Sequence, residues 1–257
     1  MILSRRVALG GVQLDQQDAS IVIRSIDTGV PHESLDAVNR MGGAGQRLTS
    51  QHWETLDVSV RVAIDVPKKN LSKRREVFEK IVAWALRKGW LTVSYLTGRK
   101  MYVDKVILPG SGDMWNWEDD FTITFRAYGV PFWQGDTPTT ETLTGITTSS
   151  ASITVPGQAQ TVLDVSFKNT SGSSMDTLSV SAGGNTISLS GLGLASGSTV
   201  EISHGTDGLL RIMKGSTSVY DKYTGSDDLY VNPGACTVSI TAGKTGNATI
   251  SVTGRYF

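Results

Sequence analysis

The sequence predicts a mainly β protein: an N-terminal β-structure with one flanking α-helix, then a C-terminal β-sandwich. Three observations carry that reading. Residues 56–66 alternate large apolar side chains with polar or small ones, the period-2 mark of a half-buried strand. One later segment, residues 71–88, switches to three- and four-residue apolar spacing. The composition then changes near Gly135-Asp136-Thr137-Pro138, after which Ser, Thr and Gly dominate.

In chain order, the first segment with a reading is the run 27–54, which has little periodicity and contains Gly42-Gly43-Ala44-Gly45. It reads as a long glycine-rich loop, and connections of that length in a compact domain usually have a job. In residues 56–66, Leu56, Val58, Val60, Val62, Ile64 and Val66 alternate with polar or small residues, a strand of roughly 36 Å at about 3.3 Å per residue. Pro67 ends it. Within 71–88, Val77, Phe78, Ile81, Val82, Trp84 and Ala85 form one apolar face, and Glu76/Lys80 and Arg75/Glu79 are spaced as i,i+4 ion pairs on the other. Arg87 and Lys88 suit the negative end of the helix dipole, and Gly89 supplies a left-handed stop. Weaker strands follow at 91–96, 101–108 and 121–128, the last with Phe121, Ile123 and Phe125 on one face.

The domain boundary is expected at residue 136, giving units 1–136 and 137–257. All six tryptophans precede it, and 18 Lys+Arg with 16 Asp+Glu lie before it against 6 and 8 after. Residues 137–152, low in charge and studded with Thr, read as a linker or a first irregular strand. Beyond them, pairs such as Leu163/Val165, Leu178/Val180, Ile187/Leu189, Val200/Ile202, Val238/Ile240 and Ile250/Val252 alternate with polar residues. Gly183-Gly184, Asp207-Gly208, Pro233-Gly234 and Gly246 read as the turns between them. Many short strands at such spacing indicate a sandwich.

A formal net charge of +0 excludes a whole-molecule field that would draw the chain to nucleic acid or anionic lipid. The one cysteine, Cys236, excludes an intrachain disulfide and a Cys-rich zinc site. No apolar run of signal-peptide length follows Arg5-Arg6 and no 18-residue apolar stretch occurs, so a soluble chain without export signal or membrane insertion is expected.

No catalytic constellation is visible. His32, His52 and His204 lie far apart in the chain and read as loop or surface histidines. Cys236 reads as a buried, inert strand-end thiol. Glu118-Asp119-Asp120 and Asp227-Asp228 miss the spacing of a calcium loop and read as solvated turns. The glycines of Gly42-Gly43-Ala44-Gly45-Gln46-Arg47 lack the Gly-Lys-Ser/Thr of a phosphate loop. Lys68-Lys69 and Lys73-Arg74-Arg75 form the one basic cluster. On the first helical turn it opposes the dipole, and solvation is a plainer reading than an acidic neighbour. No metal, cofactor or catalytic residue is assigned.

The residues that close the first half nevertheless carry a pattern. The helix with Phe78 and Trp84, then Gly89-Trp90-Leu91-Thr92-Val93, Met101-Tyr102-Val103, the alternating strand through Phe125, and Pro131-Phe132-Trp133-Gln134-Gly135 before the junction resemble the distal tail (Dit) family of long, non-contractile phage tails. In the second half, Val165-Ser166-Phe167-Lys168-Asn169 and Leu229-Tyr230-Val231-Asn232-Pro233-Gly234 are similar to the family's opening and closing strands.

The resemblance implies a structural virion protein at the distal end of the tail, assembled in the bacterial host cytoplasm and not an enzyme. It implies an N-terminal belt domain that closes with its copies into a hexameric ring, and a galectin-like C-terminal sandwich. The implied partners are the tail tube protein, the tape-measure protein and a tail-associated hub protein, and DNA passes through the ring without sequence readout. A head-to-tail ring needs two matching patches on each subunit. The strand 56–66, if its edge is open, and the loop bearing Met41, Gly42, Gly43, Gly45 and Arg47 are the expected ring contacts. A carbohydrate-binding β-sandwich on a structural platform is the alternative, and it is counted against by residues 137–257 holding no Trp and only His204, unlike galectin sugar sites. A hydrolase would require titratable groups brought together from distant strands.

Overall fold

In the computed structural model, residues 5–39, 46–109 and 120–257 are described; they form two compact units, Met1–Trp133 and Gln134–Phe257. The first contains β1 (Val7–Leu9), β2 (Val12–Gln13), β3 (Ile21–Asp27), β4 (His32–Asn39), β5 (Gln46–Ile64), α1 (Leu71–Ala85), β6 (Gly89–Val93), β7 (Arg99–Val103), β8 (Lys105–Ile107) and β9 (Asp120–Ala127). Strands β2-β1-β6-β7 form one sheet. Strands β3-β5-β9-β8 form a second, with β4 added along β5.

Alternation builds the second sheet. Leu56, Val58, Val60 and Val62 are fully buried, as are Ile123 and Phe125 of the neighbouring β9. Each such side chain contributes about 1.5–3 kcal/mol relative to exposure. The strand ends at Ile64 rather than Val66, where its pairing with β3 and β9 runs out, and Arg74 of α1 donates from Nη1 to the Val66 carbonyl at 2.8 Å. Residues 56–63 of β5 pair with β9, and residues 59–64 pair with β3 on the other side. This segment is therefore interior, and the expected open edge at 56–66 is not there.

The expected loop 27–54 is also corrected. His32–Asn39 pairs antiparallel with residues 46–55 of β5, from His32↔Thr55 to Asn39↔Gln46, with bulges after His32 and Asp36. It is a two-stranded ribbon. A two-stranded ribbon needs no core beneath it, and the run 27–54 carries no sustained hydrophobic period for sequence reading to detect.

Helix α1 starts at Asn70, whose side chain accepts from the Lys73 N–H at 3.3 Å. Val77, Ile81, Trp84 and Ala85 face the sheet. The predicted pairs form, Lys80–Glu76 at 2.8 Å and Arg75–Glu79 at 2.9 Å. The basic first turn is not merely solvated. Lys73 reaches Asp18 at 3.3 Å, and Arg74 is buried with its guanidinium on strand carbonyls. The helix ends at Ala85 with Leu86 still right-handed. Gly89 is no helix stop: it opens β6 at φ 138°, where a Cβ would stand 3.2 Å from the Gly10 Cα.

Strand β10 (Trp133–Gly135) starts on the last residue of the first unit, and the second unit then contains β11 (Thr139–Val155), β12 (Thr161–Asn169), β13 (Leu178–Ala182), β14 (Asn185–Leu189), β15 (Thr199–His204), β16 (Leu210–Lys214), β17 (Thr217–Ser218), β18 (Tyr223–Gly225), β19 (Tyr230–Val231), β20 (Gly234–Val252) and β21 (Arg255–Tyr256). Residues 139–155, expected as linker or irregular strand, form one long strand paired with β20. The predicted strands around Val238 and Ile250 are likewise halves of β20. Its first half pairs with β13 and its second with β12. Between them the β11–β20 ladder slips twice, from Leu143/Ala248 to Ile146/Gly246 to Thr148/Thr241. A bulged pair of long strands thus passes from one layer to the other. One layer holds β13, β14 and β18; the other holds β12, β15, β16 and β17. Phe167, Val165, Ile202, Val180, Ile187 and Ile240 meet in the core between them. Gly246 is required at the slip, since a Cβ there would lie 2.2 Å from the Phe167 ring. Cross-strand hydroxyl pairs, Ser150–Ser239 at 2.9 Å and Ser181–Thr186 at 2.8 Å, account for part of the Ser/Thr richness.

Candidate functional site

The feature of the N-terminal unit best suited to a partner is the β4–β5 ribbon. Beyond Leu56, β9 no longer accompanies β5, and β4 pairs only with β5. Among the described residues no strand pairs with either outer edge of the ribbon over residues 46–55, a length of about 33 Å. Glu33 pairs with Trp53 and Leu35 with Gln51, so Leu35 and Trp53 share one face. Both are exposed, Leu35 at 56% and Trp53 at 37%, and Val30 at the root is exposed as well. Unpaired edges next to apolar side chains are what a strand-adding or ribbon-clasping partner covers.

The root of the ribbon is fixed by residues of the predicted Pro-Phe turn. The Phe132 ring meets Trp53 edge-on at 5.7 Å, and Trp133 Nε1 donates to the Thr28 carbonyl at 3.4 Å. Pro131 and Phe132 are buried. The turn is held by Asp104, whose Oδ2 accepts from the Tyr128 and Gly129 N–H groups at 2.7 and 3.0 Å. Below it, Arg126 grips Asp57 with two bonds of 2.6 and 2.5 Å, which hold the Asp57 carboxyl below its ordinary pKa.

The remaining aromatic residues of the pattern bind the helix and the small sheet. Phe78 packs on Phe121 at 5.4 Å and Trp84 on Phe125 at 5.7 Å, both edge to face. Trp84 Nε1 donates to the Val12 carbonyl at 2.7 Å. Trp90 stacks edge-on with Tyr102 at 5.4 Å, and the Lys100 ammonium lies 4.5 Å from its ring centre. Met41, Gly42, Gly43 and Gly45 lie outside the described residues, as do Glu118 and Asp119. The backbone of Arg47 lies in the ribbon, opposite Val38. Asp120 opens β9 and pairs with Arg61 at 2.8 Å. Trp53, Asp57 and Arg126 were not singled out from sequence, because their partners are about seventy residues away.

In the C-terminal unit the structure brings together groups that the sequence kept apart. His204, read as a surface residue, has a side chain only 7% exposed. Its Nδ1 lies 2.7 Å from Asp164 Oδ1 and its Nε2 2.7 Å from Asp228 Oδ1. Asp228, read as part of a solvated turn, is buried. Burial alone would lower the pKa of this imidazole, but the hydrogen bonds to Asp164 and Asp228 outweigh it and hold it at about 9. An imidazolium giving both N–H groups to carboxylates has no lone pair with which to take a nucleophile's proton. Beside it a hollow of about 100 Å³ is lined by Asp164, Ser166, Glu201, Ser203, Thr249 and Ser251, with two valine and isoleucine neighbours and no aromatic ring. His32 and His52 are exposed. Cys236 stands near the start of β20 opposite Ile153, as expected for a strand end, but is half-buried rather than buried.

This fold occurs in a solved structure of a phage protein. In particular, 97% of the chain superposes on 98% of the Dit protein (gp 19.1) of phage SPP1, a paradigm of the hub adsorption apparatus in phages that infect Gram-positive bacteria, with a TM-score of 0.68 at 12% identity. The chain has the fold of that distal tail protein. Two structures of the phage P2 baseplate in its activated conformation, with Ca and with Sr, align over 98% and 97% of both chains, with TM-scores of 0.47 and 0.44 at 8% and 7% identity. No protein-family model and no curated protein matches the sequence.

Proposed function

We propose that this protein is a structural component of a phage virion, a ring-forming adaptor at the distal end of the tail. The observation that carries the reading is the match to the SPP1 Dit fold along nearly the whole chain, both units in the same order. The ribbon supports it, because a two-stranded element with unpaired edges is marginal in water and gains stability when a neighbouring copy covers it. Six copies close head to tail into a hexamer, with the ribbon of one subunit laid on the next. The ring joins the tail tube to the tail-associated hub, with the tape-measure protein and then DNA passing through its lumen. Assembly takes place in the host cytoplasm, and the mature location is the tail tip.

The role is mechanical, with no bond made or broken. Carbohydrate binding has little support in the C-terminal unit, whose hollow offers no ring on which a sugar could stack. Light scattering on the purified protein over a concentration series tests the ring. A mass of about 165 kDa, six times the 27.5 kDa of the chain, is expected, and a 27.5 kDa particle at every concentration overturns the proposal.

A further inference from the structure

The Asp164–His204–Asp228 cluster joins three segments that are distant in sequence. Asp164 stands on β12, His204 ends β15, and Asp228 precedes Leu229 and Val231, which are 0% and 1% exposed in the core. The segment 228–231 is attached elsewhere by its backbone: the Leu163 N–H donates to Leu229 at 3.2 Å, and β19 pairs with the start of β12. Asp228 also accepts from the Leu229 N–H at 2.7 Å. Arg255 of β21 lies in the field of Asp228, Tyr230 and Asp164 and donates to the Gln160 carbonyl. The other charged groups nearby are Asp227, exposed at the surface, Glu201 across the hollow, and the Asp207–Arg211 pair in the turn after His204, closed at 2.8 Å.

With the imidazole protonated, two anions (Asp164, Asp228) and two cations (His204, Arg255) cancel. Remove the His204 proton, and one ring nitrogen presents a lone pair to a carboxylate at 2.7 Å, a contact in which neither atom has a hydrogen to give. Asp164, with 41% of its side chain exposed, can turn to water; Asp228, at 7%, cannot. The uncompensated charge falls on the residue next to the two apolar plugs.

We infer that the cluster is a proton-held latch: protonated His204 pins the 228–231 segment to the sandwich, and loss of that proton frees the segment. The inference rests on the C-terminal unit alone and stands or falls independently of the tail-ring proposal. Because the folded state holds the proton more tightly than an unfolded histidine, the latch is fully effective below about pH 6.5 and is lost as pH rises through about 9. Between those values the unfolded chain binds one proton fewer than the folded one, and the folding constant falls by up to about tenfold per pH unit.

The test uses the full chain with His32→Gln and His52→Gln, both at exposed positions, so that one histidine ring remains. Its Cε1–H resonance and the methyl resonances of Leu229 and Val231 are followed by NMR from pH 6 to 10. The ring signal is expected to titrate near pH 9, with the two methyl signals moving at the same midpoint. In Asp164→Asn, at the half-exposed position, the midpoint is expected to fall by at least about one pH unit. A ring titrating at or below 6.5, methyl signals that do not follow the ring, or a midpoint unmoved in Asp164→Asn would each overturn the latch.

Discussion

Asp18 shows how a side chain in a short connection can organise a helix. It receives Lys80 at 2.8 Å and Lys73 at 3.3 Å, and these bonds, Lys80's first, hold its carboxyl well below the ordinary carboxylate range. The folded pKa is depressed, so the stabilisation is present above the unfolded value near 3.8 and is lost as pH falls below it. Asp18→Asn is expected to lower the denaturation midpoint of the N-terminal unit at pH 7, and the gap from wild type should narrow below about pH 3.8. Tryptophan fluorescence reads this unit selectively, since all six tryptophans lie in residues 1–136. The same signal reports Trp84→Ala, which removes both the Phe125 contact and the bond to Val12 and should cost about 3–5 kcal/mol. Trp84 was legible from helical spacing. Arg74 and His204 were not, because a charge in sequence says nothing of burial until its partners are known. One signal for His204 was available: Val200, Ile202 and His204 share a strand phase, which sets the histidine on the apolar side.

At the level of elements, legibility followed burial. The 56–64 part of β5, the helix α1 and β9 each press one face on a core, and their periods of 2 and 3.6 showed in the sequence. The ribbon carries no sustained period and reads as a loop. The long strand β20 read as two, because its apolar alternation stops at Gly243–Gly246 while the backbone continues into the other layer. Gly246 therefore belongs to a strand, not a turn, and only hydrogen fits beneath the Phe167 ring. Gly246→Ala should destabilise the C-terminal unit by about 1–3 kcal/mol, read by near-UV circular dichroism of its tyrosines during urea unfolding. If 246 were an open turn, the substitution would be nearly neutral.

For the whole molecule, the account places assembly in the ribbon and stability in the two cores. Replacing residues 38–47 with an Asn-Gly turn shortens the ribbon at a paired position, Ala37↔Leu48, and keeps a turn type that suits a hairpin. The shortened protein should keep its wild-type thermal unfolding of the two cores yet lose the high-mass species. The ring is tested most directly by negative-stain imaging of the purified chain at high concentration. The account predicts closed annuli with six-fold symmetry and an open centre; uniform single particles with no rotational symmetry would contradict it.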